Sequence, residues 1–135
     1  MSLDVQQREH ENIAILDLKG LITVGPEASV LRERVAALTA AGTVNLVLNL
    51  KGVDYIDSTG LGALVIVATS LRKNKGNVKL VNLSKRNIEL LIMTKLATVF
   101  EIFNDEQDAV NSFYPDRKIK TFDILSFVQD MKNEE

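Results

Sequence analysis

The chain reads as an α/β domain: a mixed sheet of about four to five strands, helices packed mainly on one face, and a further helix at the C-terminus. Three observations predict it. Segment 43–50, TVNLVLNL, alternates cleanly between apolar and polar residues. Segments 25–42 and 59–74 carry apolar residues at helical spacing. The elements run strand, strand, helix, strand, helix, strand, helix, short strand, helix, an order that calls for crossover connections after an opening hairpin.

Taken in order, residues 13–19, IAILDLK, have strand character and pair with LDVQQRE about the turn HEN. In GPEASVLRERVAALTAAG, Pro26 suits a first helical turn and Gly42 a left-handed stop. Leu31, Val35 and Leu38 give that helix one buried face. In the next strand Val44, Leu46, Leu48 and Leu50 share a face, with Asn45, Val47 and Asn49 on the other. Residues 59–74 form a second helix, closed by RKNKGN around Gly76. VKLVNL is a strand, and Ser84 caps a helix holding Ile88, Leu91 and Ile92. VFEIF is a short strand, and NDEQDAVNSF opens like a helix with acids in its first turn. No repeat or linker interrupts the chain before Pro115, which sets a domain at 1–114 and an extension at 115–135.

Composition narrows the function classes. A chain of 135 residues suits one domain with a real core, and 46% apolar with 25% charged residues is ordinary for a soluble protein. The net charge of −2 gives no general attraction for nucleic acid or anionic lipid. There is no cysteine, and His10 alone cannot build a His-rich metal site or a Ser-His-Asp triad. The N-terminus carries charges where a signal peptide needs an apolar core, and no apolar run reaches the roughly 18 residues of a membrane span. A cytoplasmic domain without cofactor or metal is the expectation.

The most informative stretch is YIDSTGLGAL, residues 55–64, where a strand end turns into the second helix. Asp57 or Ser58 approximates the N-cap, and the first-turn N–H groups have no partner inside the helix. Gly60 and Gly62 lack the third glycine of a dinucleotide fingerprint, and no Gly-Lys-Ser/Thr phosphate loop occurs. A hydrolase elbow needs a glycine two residues before its serine, and that is missing too. At 100° per residue, Leu61, Leu64, Val65, Ala68 and Leu71 form the stripe that faces the sheet. Thr59, Gly62, Ala63, Ile66, Ser70 and Lys73 gather opposite. That face is small and smooth near the helix start and carries one large apolar residue, Ile66. It has the character of a docking surface.

These residues resemble the STAS domain (sulfate transporter and anti-sigma factor antagonist), in particular the bacterial anti-sigma factor antagonists. The likeness spans roughly residues 3–113 and rests on LVLNLKGVDYIDSTGLGALV, VKLVNLSKRNIELL and LATVFEIFNDEQDAV. It implies that Ser58, directly after the motif aspartate, is phosphorylated by a partner anti-sigma factor that is itself a serine kinase, and restored by a serine phosphatase. Asp57, Ser58, Thr59, Gly60, Gly62, Ala63 and Ile66 would then form the partner surface of a non-enzymatic switch. A phosphate at a helix N-terminus meets free N–H groups and a favourable dipole, so about −2 of charge is tolerated there. Beside Asp54 and Asp57 the same charge would repel an acidic partner. One departure stands out: familiar antagonists often carry an acid in the loop after the second strand, where this chain has Thr23, with Glu27 somewhat later. That bears on the rate at which a kinase would act. The rival readings are a cytosolic accessory subunit of a membrane transporter or a stress-signalling scaffold, docking through the same helix, and a nucleotide-binding module.

The tail PDRKIKTFDILSFVQDMKNEE lies beyond the resemblance. Pro115 breaks the preceding helix, DRKIK connects, and Thr121 can cap a new helix. Ile124, Leu125, Phe127, Val128 and Met131 make that helix apolar over half its circumference. It is expected to pack on its own domain or across a homodimer.

Overall fold

The structure, a computed structural model, describes residues 3–133. Strand β1 (Leu3–His10) and strand β2 (Ile13–Ile22) form the opening hairpin, with His10 opposite Ile13. Glu11 and Asn12 turn it with φ of 53° and 72°. Two successive left-handed residues match the twist of the flanking strands, which is why so short a loop closes here. Helix α1 (Pro26–Ala40) starts with Pro26 after Gly25, whose φ of 102° only glycine adopts freely. It stops at Gly42, φ 92°, where Thr43 N–H reaches back to the Leu38 carbonyl at 2.9 Å.

Strand β3 (Asn45–Ile56) leads into helix α2 (Ser58–Lys73), and strand β4 (Asn77–Val81) into helix α3 (Lys85–Met93). Strand β5 (Glu101–Phe103), helix α4 (Glu106–Asn111) and helix α5 (Ile124–Asn133) complete the chain. The sheet runs β1-β2-β3-β4-β5, antiparallel in its first pair and parallel in the others. The mixed sheet and crossover helices match the fold class read from the sequence.

Helices α1, α2 and α3 cover one face. Leu31, Val35, Leu64 and Leu71 meet Leu16, Leu46, Leu48 and Leu80 there, all buried. The opposite face has a core of its own. Ile13, Ile15, Val47, Val81 and Phe103 pack with Ala109 and Val110 of α4. Val47, which strict alternation put on a polar face, is therefore buried. A central strand covered on both sides reads as a continuous apolar run, so its alternation is only partial. Beyond this second core the face turns polar. Asn49 donates to Asp17 at 2.8 Å, Arg8 donates to Asp17 at 2.9 Å, and Arg8 also pairs with Glu106 of α4. Lys79, buried on the same face, is paired with Glu101 and lies 5.0 Å from the Phe113 ring centre.

The C-terminal segment runs along the free edge of β5, where Phe122 N–H donates to the Ile102 carbonyl at 3.1 Å. Phe122 and Ile124 pack against the main core, while α5 itself has no buried residue and Leu125 is 83% exposed. The cap of α5 is not Thr121. Asp123 accepts from both the N–H and the hydroxyl of Ser126, at 3.0 and 2.8 Å. A carboxylate three residues ahead of a free N–H is the stronger acceptor. The acidic end expected after Asn133 lies outside the described residues.

Candidate functional site

Two irregularities in the β2–β3 register, between Asp17 and Lys19 and between Gly20 and Leu21, carry β3 on to Ile56. The strand therefore delivers Asp57 to the rim of the sheet beside the end of β2, where Asp57 N–H donates to the Ile22 carbonyl at 3.2 Å. Asp57 is the N-cap. Its backbone is extended (φ −95°, ψ −178°) and its Oδ1 accepts from Gly60 N–H at 2.7 Å. Its Oδ2 accepts from Val24 N–H at 2.9 Å, which ties the β2–α1 loop to the start of α2. Hydrogen bonds from the Gly60 and Val24 backbones hold this carboxyl below the usual carboxylate range.

Ser58 and Thr59 open α2 and are exposed, and the Ser58 hydroxyl makes no hydrogen bond among the described residues. The two glycines that follow do opposite things. A Cβ on Gly60 would stand 1.8 Å from the Ile22 carbonyl oxygen, so only glycine lets α2 approach β2 this closely. A Cβ on Gly62 would meet nothing within 4 Å. Gly60 is thus a packing residue and Gly62 part of an open surface.

The remainder of α2 divides as the helical spacing predicts, with one correction. Leu61, Leu64, Ala68 and Leu71 are buried, Val65 partly so, and Ile66 stands 50% exposed on the far side. Ala63, expected on the exposed face, is 3% exposed. It lies 60° around the helix from Ile66, toward Val67, and α1 packs along α2 and buries that flank. The exposed strip is accordingly narrower: Ser58, Thr59, Gly62 and Ile66. Ile66, Val67 and Ser70 border a groove of ≈ 330 Å³ whose other wall is α1, with Ser29, Arg32 and Ala36.

A second cleft, of ≈ 290 Å³, lies on the other flank of the junction. Tyr55, Ser58 and Leu61 face Arg86, Leu90 and Met93 of α3 across it. Met93 is 76% and Tyr55 41% exposed. The Arg86 guanidinium lies 4.9 Å from the Tyr55 ring centre. The sequence reading missed Arg86 and Met93, because nothing in the spacing of α3 says that it lies beside the start of α2. Tyr55 is the first residue of the YIDSTGLGAL stretch itself. In the β2–α1 loop Thr23 is half-buried, and the Glu27 side chain lies outside the described residues. Among the described residues no group of acids and histidine could hold a metal, and no helix is long and apolar enough to cross a membrane.

The sequence profile of the STAS domain matches residues 4–109. The chain is 38% identical over 102 residues to the anti-sigma-B factor antagonist of Bacillus subtilis, covering 76% of this chain and 92% of that protein. To the anti-sigma-B factor antagonist of Listeria monocytogenes it is 31% identical over 106 residues, 78% of this chain and 91% of the relative. Its fold superposes on the unphosphorylated Bacillus anti-sigma factor antagonist SpoIIAA with a TM-score of 0.64 at 16% identity, covering 83% of this chain and 99% of that one. The phosphorylated form of SpoIIAA superposes with the same score, at 82% and 99% coverage. With the strand–Asp-Ser-Thr-Gly-Leu-Gly–helix junction in register and these likenesses over most of its length, the chain belongs to the STAS domain family, among the anti-sigma factor antagonists.

Proposed function

We propose that the protein is a cytoplasmic, non-enzymatic anti-sigma factor antagonist whose unmodified form binds a serine-kinase anti-sigma factor and is switched off by phosphorylation of Ser58. The observation that carries this reading is the setting of Ser58: an exposed hydroxyl on the first residue of α2, beside a carboxylate cap and continuous with the strip of Thr59, Gly62 and Ile66. A kinase can reach such a hydroxyl without unfolding the domain. The added charge of about −2 lies at a helix start, where the helix dipole favours negative charge, so the fold tolerates it. Asp54 is exposed and Asp57 half-exposed nearby, so the same charge makes the docking strip strongly anionic. Docking is weakened and folding is not. The likeness to the Bacillus subtilis antagonist supports this reading over a transporter subunit.

Titration of the cognate anti-sigma factor with wild type, Ser58→Ala and Ser58→Asp tests it. Wild type and Ser58→Ala should bind alike, and Ser58→Asp at least about tenfold more weakly, a difference of about 1.4 kcal/mol. Equal binding by all three would exclude Ser58 as the switch.

A further inference from the structure

We propose that Arg86 is the intramolecular receptor for a phosphate on Ser58, so that the modified domain is latched by its own α3. The inference rests on the Ser58 switch proposed above and adds the residue that reads the modification. Tyr55, Ser58 and Arg86 line one cleft. Among the described residues Arg86 makes no ion pair; its contact there is the face of the Tyr55 ring. The backbone beneath it is fixed on both sides. Ser84 Oγ accepts from Asn87 N–H at 3.1 Å, and the buried Asn87 side chain donates to the Val53 carbonyl at 3.4 Å. Arg86 sits between these anchors with an exposed side chain.

The other charged groups of the cleft are Asp57, at the junction, and Glu89, on α3. Both are carboxylates that repel a phosphate, which leaves Arg86 as the lining cation. The planar guanidinium fork matches a phosphate in a bidentate, charge-assisted pair. Its contact with an exposed aromatic face is the weaker of the two interactions. Phosphorylation therefore draws Arg86 off Tyr55 and onto Ser58, closing the cleft and changing the surroundings of the Tyr55 ring. Tyr55 is one of two tyrosines in a chain with no tryptophan, so its ring signals are readily assigned.

The test uses the full chain with phosphoserine installed at position 58 during translation, which needs no kinase. Phosphorus NMR against pH gives the second ionisation of the phosphate, near pH 6 for a free phosphoserine. In the otherwise wild-type protein it should lie lower than in Arg86→Ala by about half a pH unit or more, with Arg86→Lys between them. The helix N-terminus acts equally on all three, so the difference belongs to Arg86. The Tyr55 ring resonances should shift on phosphorylation more in the wild type than in Arg86→Ala, because only the wild type also loses the guanidinium from the ring. Equal ionisation in the wild type and Arg86→Ala would overturn the proposal, and so would Tyr55 shifts that are the same in both. If Arg86→Ala does not fold, Arg86→Lys and the wild-type Tyr55 signals decide it. Because the phosphate is installed without a kinase, a null result removes Arg86 as receptor and leaves the Ser58 switch to the binding titration.

Discussion

The Asp57 carboxylate accepts from Val24 N–H at 2.9 Å while its other oxygen caps α2 through Gly60 N–H at 2.7 Å. One side chain thus ties the end of β3 to the start of α2 and to the loop that leads into α1.

Asp57→Ala should lower the urea midpoint and speed amide exchange at Val24 and Gly60, and Asp57→Asn should do so less because it keeps one oxygen. The effect depends on pH in a fixed direction. The folded-state carboxyl ionises below its unfolded value of about 3.9, so its contribution is complete above that value and is lost as pH falls through the folded one. The gap between wild type and Asp57→Ala should therefore be constant from pH 5 to 7 and narrow below about pH 4. Denaturation curves across that range check it.

Gly60→Ala and Gly62→Ala should part company although only Leu61 separates them. The first sets a methyl group 1.8 Å from the Ile22 carbonyl and should cost about 1–3 kcal/mol or more. The second adds a methyl in open space on a helix and should stabilise by roughly 0.5–1 kcal/mol. If Gly62 faces the partner, Gly62→Ala should also weaken anti-sigma factor binding. Thermal melts and a binding titration on the same samples separate the two effects.

Ile66→Glu should leave stability within about 0.5 kcal/mol of wild type, since the side chain is half in water, and should weaken partner binding by at least about tenfold. A large loss of stability in calorimetry would show instead that the side chain contributes to the core.

In the C-terminal extension, Phe122→Ala should cost about 1–2 kcal/mol and Leu125→Ala almost nothing. Hydrogen exchange should find the Phe122 amide protected by the Ile102 carbonyl and the amides of α5 exchanging faster. Rapid exchange at Phe122 itself would mean that the segment does not dock on β5.

Much of this was legible in the chain, for identifiable reasons. The stripe of Leu61, Leu64, Ala68 and Leu71, the cap at Ser84 and the acids in the first turn of α4 are local signals, read over one or two turns, and all are in place. What failed depended on neighbours distant in sequence. Ala63 is buried on the flank where α1 packs, Val47 lies under the layer that α4 completes, and Arg86 stands beside the start of α2 on a helix that the buried Asn87 ties to β3. The capping of α5 by Asp123 rather than Thr121 is a local competition between two acceptors, won by the carboxylate.

The most direct measurement of the switch is to incubate the purified protein with its anti-sigma factor and ATP. The phosphate is then located by tandem mass spectrometry, and the complex is followed by size-exclusion chromatography. One phosphate, on Ser58, should appear as the complex falls apart, with Ser58→Ala remaining bound and unmodified. A phosphate at another residue, or a complex that persists with Ser58 fully phosphorylated, would contradict it.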